Sequence, residues 1–264
     1  MLYSAMLKTL FRRVYGELPE ASAEGEGVGL VLVADGVGGL DLCGMGLKYE
    51  VARAGLPLAV EVVPWGHGLG RWHADLTNVE NHVARAAATV ARLNEFRAAK
   101  PGAPVFLVGK SGGTGLVARV LEDLPEGAVE AAVLLSPALS PGYDLGRALR
   151  AVRREMVVFW SPLDLVVLGL GTRVFGTIDR VNSVSAGLVG FRTPGGADEA
   201  GYAKLRQVRW HPEMAPTGYL GGHVGPDSPA FLRKYVLPLL SVTATESGGP
   251  AAEGSSRAHA APIT

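Results

Sequence analysis

Residues 104–113 read Pro104-Val105-Phe106-Leu107-Val108-Gly109-Lys110-Ser111-Gly112-Gly113, and their reading decides the fold. A short apolar run, rich in β-branched residues, ends in a glycine-rich turn. Leu116-Val117-Ala118-Arg119-Val120-Leu121 then continues with helical character. A strand that turns this sharply into a helix holds its central residue in a strained backbone conformation. The neighbours must then be small, because side chains there would collide with the sheet or the helix. Gly109-Lys110-Ser111-Gly112-Gly113 meets that requirement. Such a turn lifts the Ser111 hydroxyl into the open and sets the Gly112 amide at a helix amino terminus, where it can stabilise an oxyanion. Gly-Lys-Ser also invites a phosphate-loop reading. The glycine that a Walker A needs five residues before Gly109 is Pro104 here, and a strand follows it instead of a loop. The phosphate-loop reading fails.

Outward from this turn the chain repeats one pattern. Apolar strands are predicted over residues 29–34, 58–63, 104–108, 129–135 and 156–160, with a weaker one over 205–210. Each of the first five runs into turn formers: Asp35-Gly36-Val37-Gly38-Gly39, Pro64-Trp65-Gly66, the serine turn, Ser136-Pro137, and Ser161-Pro162-Leu163-Asp164. Helices are predicted over residues 46–54, 75–99 and 230–240. Apolar strands alternating with amphipathic helices predict an α/β protein with a mainly parallel central sheet covered on both faces. Ligands of such sheets bind beyond the carboxyl ends of the strands, so chemistry is expected there. One domain is expected over residues 1–240, with an amino-terminal helix over 1–20 and a disordered, Gly/Ala/Ser-rich tail over 241–264.

Composition narrows the classes of function. Hydrophobic residues make up 48% of the 264, enough for a sizeable core, and 25 basic residues balance 25 acidic ones. A nucleic-acid partner would call for a clustered basic surplus, which is missing. The single cysteine, Cys43, cannot form an internal disulfide and fits a reducing, cytoplasmic location. Met1 to Val14 places Lys8, Arg12 and Arg13 after the first apolar residues, the reverse of a signal peptide. This stretch reads as a docked helix or as a weak peripheral membrane contact.

With these elements placed, the sequence resembles the α/β-hydrolase superfamily across about residues 28–240. The resemblance rests on the order of elements, the G-x-S-x-G after a central strand, and the later Asp and His. It implies an α/β-hydrolase fold without a large cap and a triad in the order serine, acid, histidine. The matching acid is Asp164, with Asp144 and Asp179 as competitors. The matching histidine is His223 in Gly221-Gly222-His223-Val224-Gly225-Pro226, with His211 as rival. His223 would take the Ser111 proton, and Asp164 would fix the imidazole tautomer. The second oxyanion donor would be the Val37 amide, beside Gly36. Asp35 stands where the family usually has histidine, and a carboxylate there would oppose an oxyanion unless turned away or paired.

Pro64-Trp65-Gly66-His67-Gly68-Leu69-Gly70-Arg71-Trp72-His73 gathers aromatic, basic and imidazole groups after a strand. It reads as a packed loop, a substrate wall or, with Asp75, a metal site. Gly36, Trp65, His67, Lys110 and Leu165 are the expected substrate contacts. The connection over residues 138–155 is short and charged. The excursion over residues 165–200 opens with Leu165-Val166-Val167-Leu168-Gly169-Leu170, which suits either an apolar flap or packing on the sheet. The expected activity is hydrolysis of a small-molecule carboxylic ester through an acyl-enzyme, which requires no metal or organic cofactor. Acyl transfer with the same triad and a non-catalytic binding role are the alternatives.

Overall fold

The computed structural model describes residues 29–241. The helix expected over 1–20, the membrane contact assigned to it and, Ser241 apart, the tail expected over 241–264 lie outside the described residues.

Six parallel strands form one sheet in the order β2-β1-β3-β4-β5-β6. They are β1 (Gly29–Ala34), β2 (Leu58–Val62), β3 (Val105–Lys110), β4 (Val129–Leu135), β5 (Val152–Trp160) and β6 (Leu205–Arg209). The alternating side chains of the strands divide the core into two layers. Leu30, Leu32, Val105 and Leu107 face α3 (Val79–Ala99) and α4 (Gly113–Glu122). Val31, Val33, Phe106 and Val108 face α1 (Leu42–Arg53) and the carboxy-terminal Phe231, Leu232 and Val236. Burial on both faces is why these strands read as unbroken apolar runs. Chain direction across the sheet reverses between β1 and β3, which opens a crevice at their carboxyl ends. The topology and the position of that crevice are those of the α/β-hydrolase fold, the class expected from the sequence.

Several boundaries differ from expectation, each for a visible reason. The first helix begins at Leu42, before residue 46, because the Asp35 carboxylate accepts the Gly44 amide in its first turn. The long helix over 75–99 is two, α2 (Trp72–Thr77) and α3, parted at Asn78, whose side chain accepts the Asn81 amide. β5 begins at Val152 and absorbs part of the charged connection, since Arg153 and Arg154 pair with Glu130 of β4 at 3.3 and 3.1 Å. The remainder of that connection holds one short helix, α5 (Gly146–Ala151). The closing helix over 230–240 breaks into Pro229–Phe231, a π turn Leu232–Val236 and a 3₁₀ turn Leu237–Leu240, where Pro238 offers no amide hydrogen to an α-helix. Among the described residues no helix is long and apolar enough to cross a membrane.

Candidate active site

β3 ends on Lys110 and α4 begins at Gly113, so the chain reverses within Ser111 and Gly112. Ser111 sits at φ 52°, in the left-handed region that a non-glycine residue adopts at a cost of order 1–3 kcal/mol. The surroundings hold it there. Its amide donates to Leu135 O at 2.9 Å, and its carbonyl accepts from the Thr114 amide at 3.1 Å and the Thr114 hydroxyl. A Cβ on Gly109 would stand 2.8 Å from Thr114 Cα, and one on Gly113 would run into the carbonyl of Ala34. The glycines flanking the serine are therefore demanded by the approach of α4 to β3 and β1.

Two distant loops converge on the serine. His223 Nε2 lies 2.9 Å from Ser111 Oγ, and His223 Nδ1 lies 2.7 Å from Asp164 Oδ2. Asp164, 3% exposed, follows β5 and ends the turn in which its amide donates to Ser161 O. His223 follows β6 on a loop whose Gly221, at φ 91°, packs on Leu163 beside Asp164. Burial pushes the imidazole below its ordinary pKa. The Lys110 charge adds to that, and Asp164 opposes it. The competing residues are engaged elsewhere. Asp144 accepts from the Gly146 amide and the Tyr202 hydroxyl, Asp179 accepts from the Ser140 amide and hydroxyl, and His211 pairs loosely with Glu213.

The expected oxyanion amides, those of Val37 and Gly112, have no protein acceptor among the described residues. The Val37 side chain packs against Gly112, which brings the two loops together. Asp35 does not aim a free carboxylate at this space. Its Oδ1 accepts the Gly36 amide at 3.0 Å and its Oδ2 the Gly44 amide at 2.8 Å. The first turn of α1 thus receives its charge. Burial still raises the Asp35 carboxyl, against those amides and Lys110.

The expected substrate contacts divide. Gly36, Lys110 and Ser111 line a cleft of about 160 Å³ together with Leu40, Val167 and Val224. Trp65 does not line it: 3% exposed, it lies behind the wall against Gly112 and donates Nε1–H to Asp35 O at 2.9 Å. His67 also faces away, its Nδ1 2.9 Å from Asp75 Oδ1 and its Nε2 3.1 Å from Asn78. Leu165 does not line it either and stands 62% exposed, while Val167, two residues on, lines the cleft. The side chains of the excursion after Asp164 divide between burial and exposure. Leu168 is buried against Ala138 and Leu188, while Leu165, Val166 and Leu170 are left in the open. Further along the excursion, Phe175 stacks edge-on with Trp72, the first residue of α2, at 5.1 Å. Among the described residues no three His, Cys, Asp or Glu side chains converge as metal ligands. A larger cavity of about 620 Å³ opens by Gly29, Pro104 and Ala128, at the amino ends of the strands, away from Ser111.

Two side chains beside the site have roles that the sequence did not indicate. Asp75, considered there only as a metal ligand, is fully buried and accepts the amides of Gly38 and His67 at 2.7 and 2.5 Å, tying the loop after β1 to the loop after β2. Asp227 lines the cleft and meets Lys110. The signal for it was Lys110 itself, a lysine in a buried turn that required a counter-charge somewhere.

No protein-family model matches the sequence, and no curated protein matches it. Solved structures similar to the chain include the poly(3-hydroxybutyrate) depolymerase of Bordetella parapertussis, 17% identical, covering 80% of this chain and 82% of that one with a TM-score of 0.48. A cutinase-like protein from Cryptococcus sp. is 15% identical over 83% of this chain and 98% of its own, with a TM-score of 0.43. A Trichoderma reesei cutinase is 14% identical over 92% and 90%, also with a TM-score of 0.43. These likenesses are distant.

Proposed function

We propose that this chain is a serine hydrolase that cleaves carboxylic esters bearing an apolar acyl or alcohol group. One observation carries the reading: a continuous hydrogen-bonded chain from buried Asp164 through His223 to the Ser111 hydroxyl. In this mechanism His223 Nε2 takes the Ser111 proton as Oγ attacks the ester carbonyl carbon. The tetrahedral oxyanion is met by the amides of Val37 and Gly112. The imidazolium then protonates the departing alkoxide, leaving the acyl group on Ser111. Water repeats the sequence, giving its proton to His223 and releasing the acid. Asp164 holds Nδ1–H and stabilises the imidazolium throughout. Leu40, Val167 and Val224 in the cleft support an apolar substrate part.

Labelling with a fluorophosphonate probe, followed by peptide mapping, tests the reading. The expected adduct is on Ser111 and disappears in His223→Ala. A panel of p-nitrophenyl esters of rising chain length should then be hydrolysed. A folded protein that takes no adduct and cleaves none of them would be a non-catalytic member of the fold.

A further inference from the structure

We propose that Lys110 is a positioning residue of this site, its buried ammonium tying the histidine loop to the elbow through Asp227 and compensating the carboxylates that border the cleft. The proposal rests on the hydrolase reading for its kinetic consequences.

Lys110 immediately precedes Ser111, yet its side chain is only 3% exposed. Lysine is almost never buried without a partner. Its Nζ lies 3.8 Å from Asp227 Oδ2, and Asp227 lies in the 3₁₀ turn Gly225–Asp227, four residues after His223. Lys110 also acts electrostatically on Asp35, at the end of β1. One ammonium therefore faces three elements that must be in register: the oxyanion loop, the serine turn and the histidine loop. Asp35, Lys110, Ser111, His223 and Asp227 all border the same cleft.

The balance of charge is uneven. Two carboxylates, Asp35 and Asp227, share one cation, and Asp227 Oδ1 is buried with no hydrogen-bond partner. Cys43, Asp41 and Tyr219 are the other titratable groups that bear on this cluster, and Asp164 and Lys110 are those that bear on His223. Without Lys110, Asp35 and Asp227 would repel across the cleft floor, and the histidine loop would lose its anchor. His223 would also lose a neighbouring positive charge, which now disfavours its protonation.

Two variants, Lys110→Met and Asp227→Asn, separate this role from simple loosening. The readouts are the His223 pKa by NMR titration of the imidazole and kcat and KM on a p-nitrophenyl ester. Lys110→Met is expected to raise the His223 pKa by roughly half a unit or more. Asp227→Asn keeps the cation and should leave that pKa unchanged or lower. Both should reduce kcat about tenfold or more with KM within about threefold. The proposal is overturned if the His223 pKa does not move in Lys110→Met, if it rises equally in both variants, or if either keeps kcat within about threefold of the parent. Should Lys110→Met not fold, a rise of the His223 pKa in Asp227→Asn overturns it. The titration needs no turnover, so an inactive parent protein would sink the hydrolase reading and leave the Lys110 assignment to be decided separately.

Discussion

His223 Nδ1 and Asp164 Oδ2 stand 2.7 Å apart although 59 residues separate them in the chain, and the carboxylate is only 3% exposed. A buried carboxylate at that distance fixes which ring nitrogen carries the proton, leaving Nε2 free to accept from Ser111. Asp164→Asn would preserve shape and favour the wrong tautomer. The expected result is a fall in kcat of about 10³–10⁴ on a p-nitrophenyl ester, with folding intact by circular dichroism.

The pH profile follows from the same ring. Burial, aided by Lys110, holds the His223 pKa below the ordinary histidine value. Only neutral imidazole can accept the serine proton, so the acid limb of kcat/KM should fall below the usual 6.5. Activity should be close to full at pH 7 and decline only under more acidic conditions. An acid limb above 6.5 in a pH–rate profile would contradict this.

Asp227 is held at a cost. Burial pushes its pKa up to about 6 from 3.8, so the folded protein binds this proton more tightly than the unfolded chain. Stability from this group is therefore present below the unfolded value and declines as pH rises toward 6. Asp227→Asn removes this titration, so relative to the parent it should lose less stability between pH 4 and pH 8 in denaturant titrations, even though loss of the Lys110 partner lowers its stability throughout. An equal pH dependence in parent and variant would contradict this.

Gly113 tests the elbow. Its missing Cβ leaves room for the carbonyls of Ala34 and Asp35, where α4 crosses the end of β1. Gly113→Ala should lower stability by about 3 kcal/mol or more and remove labelling of Ser111, because helix and strand must part to admit a methyl group. Gly142→Ala, with nothing near its would-be Cβ, serves as the control.

Val167 lines the cleft from the excursion after Asp164. Val167→Ser should reduce kcat/KM on octanoyl relative to acetyl esters by about 3–30-fold, the worth of roughly 1–2 kcal/mol of apolar contact. An unchanged chain-length preference would place the apolar part of the substrate elsewhere.

Sequence by itself determined whatever depends on a few consecutive residues. The elbow was legible because strand, glycines, serine and helix occupy one stretch from Val105 to Leu121, and each imposes a steric condition on the next. The two-sided burial of β1, β3 and β4 was legible as continuous apolar runs, and with it the parallel sheet and the end of it where the site lies. The closing helix expected over 230–240 is instead broken, and the missing amide hydrogen of Pro238 was a local signal that this expectation passed over.

Tertiary structure alone decided which charges meet. Asp164 was favoured by the resemblance, but its chemistry alone did not set it apart from its competitors Asp144 and Asp179. Only the packing of the loop after β6 on Leu163 brings His223 to the first, while Tyr202 and Ser140 engage the other two. Asp35 threatened the oxyanion on paper, and the amides of Gly36 and Gly44 turn its carboxylate aside. Trp65 and His67 suggested a substrate wall, but the turn after β2 buries one and pairs the other with Asp75. The reason is physical. Steric conditions on a backbone turn act between neighbours in sequence, whereas a buried charge is answered by whichever partner the fold carries within a few ångströms.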